Sequence, residues 1–291
     1  MRTHNSASAI LRRAVIVYVP VALLLVITLF PFFWMAVTAF KDNSEIYDHS
    51  ISPFVIAHPT LEHFIYLFEK THFSDWLRNT MVVSIVSTAI SLVASVMAGY
   101  SLGRLRYRGA NWIGWAIFVT YLVPPTLLFL PLADVVSNFN IFGWEPHLLN
   151  SIWSLILIYP TFLMPFGTWL LIGYFKSIPR ELEESALVDG ATRLQSMLRI
   201  AVPLALPGLL SVAIFSFTLS WNEFIYALVF LSDPTTKTIA VGVVSELIRA
   251  DVFFWGELMA GALLGSVPVA IIYSFFVEYF VAGLTAGAVK G

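Results

Sequence analysis

Residues Glu181 to Gly208 read ELEESALVDGATRLQSMLRIAVPLALPG. Between Lys176 and Arg199, eight of twenty-four positions are charged: Lys176, Arg180, Glu181, Glu183, Glu184, Asp189, Arg193 and Arg199. The chain as a whole is 58% hydrophobic and only 12% charged, so this stretch is a polar island between very apolar neighbours. Local signals divide it into two short helices around a turn. Ser177 is expected to cap the first, with Pro179 in its opening turn and Glu181, Glu183 and Glu184 near its positive end. Leu182, Ala186 and Leu187 share one face at helical spacing. Asp189-Gly190 ends that helix, since glycine readily supplies a left-handed terminus. Thr192 with Gln195 spells a capping box for a second helix carrying Leu194, Met197 and Leu198. Pro203 and Pro207 mark the entry to the next apolar stretch.

The surroundings of the island are those of an integral membrane protein. Mean hydropathy is +0.83 and aromatic residues make up 15% of the chain. The net charge of −2 offers no basic surface for nucleic acid. Cysteine is absent, which excludes disulfides, thiol catalysis and cysteine-based metal sites. His49, His58, His63 and His72 cluster in one segment with irregular spacing, and they read as solvated loop histidines rather than a metal site. There is no G-x-x-x-x-G-K-S/T loop to cradle a nucleotide, and neither H-E-x-x-H nor G-x-S-x-G for a hydrolase.

A bilayer core needs about 20 apolar residues as helix. Six stretches qualify: Ala14–Phe40, Asn79–Leu102, Ala110–Ala133, Leu148–Phe175, Ile200–Leu231 and Leu258–Val277 with its continuation. The first follows Arg12 and Arg13 as a signal peptide would, but it exceeds an h-region of about 7–15 residues and reads as a retained span; Val37-Thr38-Ala39 leaves cleavage as the alternative. Arginine and lysine fall eleven to five in favour of the side holding the N-terminus, the turn after the second span, the island and the tail. The positive-inside rule therefore places both termini and the island in the cytoplasm. The expected organisation is a cytoplasmic segment 1–13, a six-span domain 14–284 with the island loop 176–203 in the cytoplasm, and a cytoplasmic tail 285–291. Ser87, Ser91, Ser95, Gly99 and Gly103 recur every four residues, the spacing at which small side chains let helices approach closely.

Asn222-Glu223 lies well inside the fifth stretch, where a carboxylate is costly and faces either a cavity or a partner. Trp221 and Tyr226 flank it, and aromatic faces beside amide and carboxylate groups suit sugar rings and hydroxyls. Two readings stand at this point: Trp221, Asn222, Glu223 and Tyr226 line a substrate pathway, or the pair makes an inter-helix or inter-subunit hydrogen bond that shapes the bundle.

The island also resembles a known family. Glu184-Ser185-Ala186, three residues, Gly190, nine residues, Ile200, one residue and Val202-Pro203 are similar to the EAA–G–I–LP signature of ATP-binding-cassette (ABC) importer permeases, departing at Ser185 and Val202. Ser220-Trp221-Asn222-Glu223-Phe224 and the terminal Gly283–Gly291 resemble the carbohydrate-uptake, MalG-like branch. The resemblance implies an all-α, six-span type I (MetI-like) permease in the bacterial cytoplasmic (inner) membrane, non-catalytic, with the island as the coupling helix. It implies ATPase-coupling roles for Glu183, Glu184, Ala186, Asp189 and Gly190 and for Thr285, Gly287 and Lys290 of the tail. The implied partners are a second, non-identical MalF-like permease, two ATPase subunits that bind ATP and Mg, an extracytoplasmic solute-binding protein touched by Ser232–Glu257, and membrane lipid. The implied cargo is a sugar or sugar-like solute. A glycerol-phosphate or polyol importer of the same fold is the alternative; a stand-alone secondary transporter or a membrane scaffold fits the residues less well.

Overall fold

Helix dominates because a chain in a bilayer has no water to satisfy its backbone and must pair every N–H and C=O internally. The computed structural model describes residues 14–48, 50–105, 107–138, 148–249 and 252–286, with the side chains of Ala14, Arg249 and residues 278–286 excepted. Its principal helices begin with α1 (Val19–Ala39), α2 (Glu62–Lys70), α3 (Phe73–Arg104), α4 (Ala110–Tyr121), α5 (Phe129–Ser137) and α6 (Ile152–Ile158). They continue with α7 (Pro160–Ser177), α8 (Glu181–Val188), α9 (Arg193–Ser196), α10 (Leu206–Trp221), α11 (Ile225–Phe230), α12 (Ile239–Leu247) and α13 (Trp255–Ala286). The only sheet among the described residues is Ile248–Arg249 paired antiparallel with Val252–Phe253.

Among the described residues, four helical segments are long and apolar enough to cross a membrane: Val15–Ala39, Phe73–Arg104, Ile152–Ser177 and Trp255–Val277. A fifth forms only if Arg193–Leu204 and Leu206–Trp221, bent by 77°, count as one span. The sequence reading expected six spans, and two of the six stretches are broken. Ala110–Ala133 divides into α4 and α5 because Pro124 precedes Pro125: the second ring drives Pro124 to an extended ψ of 122°, and no helix passes through. The Ile200–Leu231 stretch bends at Ala205, between Pro203 and Pro207, and breaks again at Asn222–Phe224.

The chain forms two compact units, described separately. One comprises the residues up to Thr71 with Glu246–Leu264. Among its described residues, the buried Lys41, Glu45, His63 and Glu257 are all partnered. Lys41 Nζ donates to the carbonyls of Ser52 (3.2 Å) and Pro53 (3.0 Å), and Glu45 accepts from the amides of Ala57 (3.0 Å) and His58. His63, expected in solvent, is instead buried: its Nε2 donates to the Lys41 carbonyl at 2.8 Å and its Nδ1 faces Glu257 Oε1 at 3.3 Å. Burial alone would push the imidazole down, but Glu257 and the Lys41 carbonyl outweigh it and hold His63 above its ordinary pKa. The span Val15–Ala39 exposes every side chain from Val15 to Phe33, all but Thr28 apolar.

The other unit comprises His72–Ser245 and the residues from Gly265 onward. The small-residue stripe of α3 is buried throughout, and it seats α7. A Cβ on Gly99 would lie 2.8 Å from Leu171 Cβ, and one on Gly103 would lie 3.2 Å from the Ile172 carbonyl. From the opposite side, a Cβ on Gly167 of α7 would meet Ser95 Oγ at 2.7 Å and Val212 Cγ1 of α10 at 2.8 Å. One apolar cluster gathers Tyr100, Leu171, Phe175, Met197, Ala201 and Val212 near the island, and another gathers Val83, Leu155, Tyr159, Leu163, Tyr226 and Phe230. Segment 232–238 is pinned onto α3 by Trp76 Nε1 (to Pro234 O, 2.7 Å) and by Asn79 Nδ2 (to Thr235 O, 2.8 Å, and Lys237 O, 3.1 Å).

The closeness of this packing is testable within one helix. Gly167→Ala overpacks a three-helix contact and should destabilise by about 1–3 kcal/mol. Gly173→Ala, where a Cβ meets nothing within 4 Å, should be neutral or slightly stabilising. Melting of the purified protein in detergent separates the two; equal midpoints would contradict the packing described.

Candidate functional site

The island folds as a helical hairpin. Gly190 closes α8 at φ +89°, and the pairings Ala191 N–H to Ala186 O (2.9 Å) and Gly190 N–H to Leu187 O (3.2 Å) make a Schellman terminus. The capping box of α9 is present: Thr192 Oγ1 accepts from Gln195 N (3.2 Å), and Gln195 Oε1 accepts from Thr192 N (2.8 Å). The expected cap at Ser177 is not. Ser177 ends α7 and its hydroxyl donates to the Tyr174 carbonyl at 2.8 Å. Ile178 precedes Pro179 and is extended (φ −73°, ψ 132°), so the next helix cannot start before Arg180.

The hairpin inverts the usual rule of apolar inside and charged outside. Leu182, Leu187, Leu194 and Leu198 are exposed, and Val188 is 87% exposed. Glu183 is the only buried residue of α8, at 8%. Its Oε1 accepts from Arg104 Nε at 2.7 Å and lies 2.6 Å from Arg104 Nη2; its Oε2 accepts from the Tyr100 hydroxyl at 2.8 Å. Arg104 also donates to the carbonyls of Phe175 (3.1 Å), Ile178 (2.7 Å) and Pro179 (3.3 Å). Glu183 therefore turns into this chain, onto Arg104 and Tyr100. Glu184, Asp189 and Gly190 are exposed and Ala186 is half-buried. Thr285 lies at the end of α13, and Gly287 and Lys290 lie outside the described residues.

The sequence reading missed Arg104 and Tyr100. The available signal was their separation by one helical turn at the end of the small-residue stripe, which puts Tyr100 and Arg104 on the same side of α3 as the face that seats α7.

The quartet in the fifth stretch is brought together at the break between α10 and α11. Glu223 is half-buried, and its carboxylate accepts from the amides of Tyr226 (2.9 Å) and Ala227 (3.1 Å) and from the Tyr159 hydroxyl (2.8 Å). It satisfies two open N–H groups at the start of α11 and ties that helix to the α6–α7 junction. Trp221 is buried with Nε1 donating to the Gly265 carbonyl at 3.1 Å, and Tyr226 is buried with its hydroxyl on the Pro125 carbonyl at 2.6 Å. Asn222 is exposed, and its Nδ2 donates to Thr218 O at 2.8 Å. Of the two readings of this quartet, these bonds favour a shaping role for Glu223.

The two readings give different mutants. Glu223→Gln puts an amide N–H₂ against backbone donors and should cost about 1–3 kcal/mol, read as a lower melting midpoint of the purified protein. Asn222→Ala, on an exposed side chain, should stay within about 0.5 kcal/mol. An unchanged midpoint for Glu223→Gln would rule out the capping role.

Comparison with known proteins agrees with this architecture. Residues 91–286 match the family described as binding-protein-dependent transport system inner membrane component. The chain is 37% identical to the inner membrane ABC transporter permease protein YcjP of Escherichia coli (strain K12), over 94% of this chain and 95% of that protein. It is 36% identical to the sulfoquinovosyl glycerol transport system permease protein SmoH of Agrobacterium fabrum (94% and 93% covered) and 30% identical to the trehalose/maltose transport system permease protein MalG of Thermococcus litoralis (96% and 98% covered). Its backbone matches a chain of a bacterial ABC transporter involved in alginate import with a TM-score of 0.79, at 19% identity over 96% of this chain and all of that one. The chain thus belongs to the binding-protein-dependent transport system inner membrane components: it is a non-catalytic, all-α permease subunit of an ABC importer with the MetI-like fold.

Proposed function

We propose that this permease forms half of the translocation pathway for a carbohydrate or carbohydrate-derived solute and is driven by separate ATPase subunits that dock on the α8–α9 hairpin. The observation that carries the docking role is the outward face of the hairpin. Leu182, Leu187 and Val188 stand exposed beside Glu184 and Asp189, on a turn whose shape depends on Gly190. An interfacial lipid-bound helix favours Lys and Arg on its polar face, whereas α8 carries Glu181, Glu183 and Glu184 in its first turn and no basic residue in its last. Apolar knobs among acids suit a protein groove with basic walls. ATP and Mg belong to those partner subunits.

The excess of Arg and Lys on the side that holds the hairpin, the N-terminus and the tail, eleven against five, supports a cytoplasmic hairpin with both termini on the same side, and so a contact between the tail residues Thr285, Gly287 and Lys290 and the ATPases. A second, MalF-like permease supplies the other half of the pathway, and the solute-binding protein approaches the pinned segment 232–238 from the opposite face. The carbohydrate assignment is supported by the relatives named for sulfoquinovosyl glycerol and for trehalose and maltose. Within the pathway, the exposed Asn222 meets solute, while Trp221, Glu223 and Tyr226 hold the break that presents it.

Gly190→Pro destroys the left-handed turn, and Glu184→Lys reverses an exposed charge. In the assembled importer both should abolish the ATP hydrolysis stimulated by the solute-loaded binding protein, and uptake with it, while the permease still inserts at parental level. Full stimulation and uptake in both variants would remove the docking role.

A further inference from the structure

Arg104 and Glu183 are the only charged residues buried among the described residues of 72–245. We propose that Arg104 is a positioning residue: it latches α8 to the ends of α3 and α7, so that a force applied to the hairpin reaches the helix bundle instead of flexing the connector. The inference rests on the reading that the hairpin docks ATPase subunits.

The geometry is that of a node, not a simple pair. Arg104 is the last residue of the 32-residue α3. Its guanidinium reaches three successive structural pieces: the Phe175 carbonyl in the last turn of α7, the Ile178 and Pro179 carbonyls of the connector, and the Glu183 carboxylate of α8. Tyr100, one turn earlier on α3, takes the second carboxylate oxygen and packs edge-on against Phe175 with ring centroids 5.6 Å apart. A planar fork of five N–H donors can serve carboxylate and carbonyls at once, and a lysine ammonium cannot. Without the node, α8 joins α7 only through residues 178–180, where Ile178 is extended and no helix hydrogen bonds stiffen the chain, and is otherwise held by the Gly190 turn and its packing on α9 and residues 197–201. With it, α8 is fixed to α3, and α3 is seated along α7 through Gly99 and Gly103. Motion of the hairpin and motion of the bundle become one displacement.

The absence of cysteine allows a direct test. Met97 of α3 and Val188 of α8 are both exposed; Met97→Cys with Val188→Cys carries two spin labels whose separation reports the joint. In the full importer complex, the latched protein should give one narrow distance distribution, the same without nucleotide and with MgATP plus vanadate. Glu183→Gln and Arg104→Lys should each broaden it and make its mean depend on nucleotide, although Arg104→Lys keeps the charge. Tyr100→Phe, the mildest change, should give an intermediate width and serves if the others do not assemble. A purely stabilising role predicts a lower melting midpoint with an unchanged narrow distribution, and that result overturns the latch. So does a nucleotide-dependent distance in the latched protein itself. Retention of ATPase on the purified complex is read in parallel with Glu184→Lys: if that variant retains ATPase fully, the docking reading fails, while the width of the distance distribution still judges the latch.

Discussion

The buried contact between Arg104 and Glu183 is the interaction on which the arrangement of the α8–α9 hairpin depends. Burying two opposite charges gains little net stability over an apolar pair, and breaking one such pair by removing a partner costs about 3–5 kcal/mol. Its value here is directional. It turns one acidic side of α8 inward and thereby leaves Leu182, Leu187 and Val188 with Glu184 on the outside. An ordinary amphipathic helix would bury the leucines and present only charge. This one places a carboxylate against its own bundle and leaves apolar surface exposed.

Elsewhere, prolines and the backbone groups they free govern where the spans break. Pro124, Pro125, Pro203 and Pro207 remove backbone donors, and the interruptions between α4 and α5 and before α10 follow. The Pro125 carbonyl is taken by the Tyr226 hydroxyl, and the open N–H groups of α11 are taken by Glu223. Glu223 and Tyr226 thus tie the break between α10 and α11 to the one between α4 and α5, which accounts for a glutamate in a stretch that is otherwise apolar.

Much of this was legible in the sequence. The hairpin, its Gly190 turn and its Thr192–Gln195 box are local features, determined by residues within a few positions, and local rules found them. The serine–glycine stripe declared close packing because its period matches a helix face. What escaped depends on distant neighbours. Periodicity groups Leu182, Ala186 and Leu187 but does not say which face meets the bundle, and the inward turn of Glu183 comes from Arg104, far away in sequence. His63 reads as a loop residue until Gly256 opens a space for its ring beside Glu257. Ser177 is a good cap by composition, yet Pro179 forces Ile178 out of helical conformation and moves the helix start beyond its reach.

The central claim, that α8 faces an ATPase with its apolar and acidic side while Glu183 holds it to the bundle, meets its most direct test in site-specific cross-linking. The chain has no native cysteine, so Val188→Cys and Glu183→Cys can each be introduced alone and treated, in membranes containing the whole importer, with a short thiol-to-amine cross-linker. The account predicts a permease–ATPase adduct from Val188→Cys and none from Glu183→Cys. An adduct from Glu183→Cys with none from Val188→Cys would contradict it.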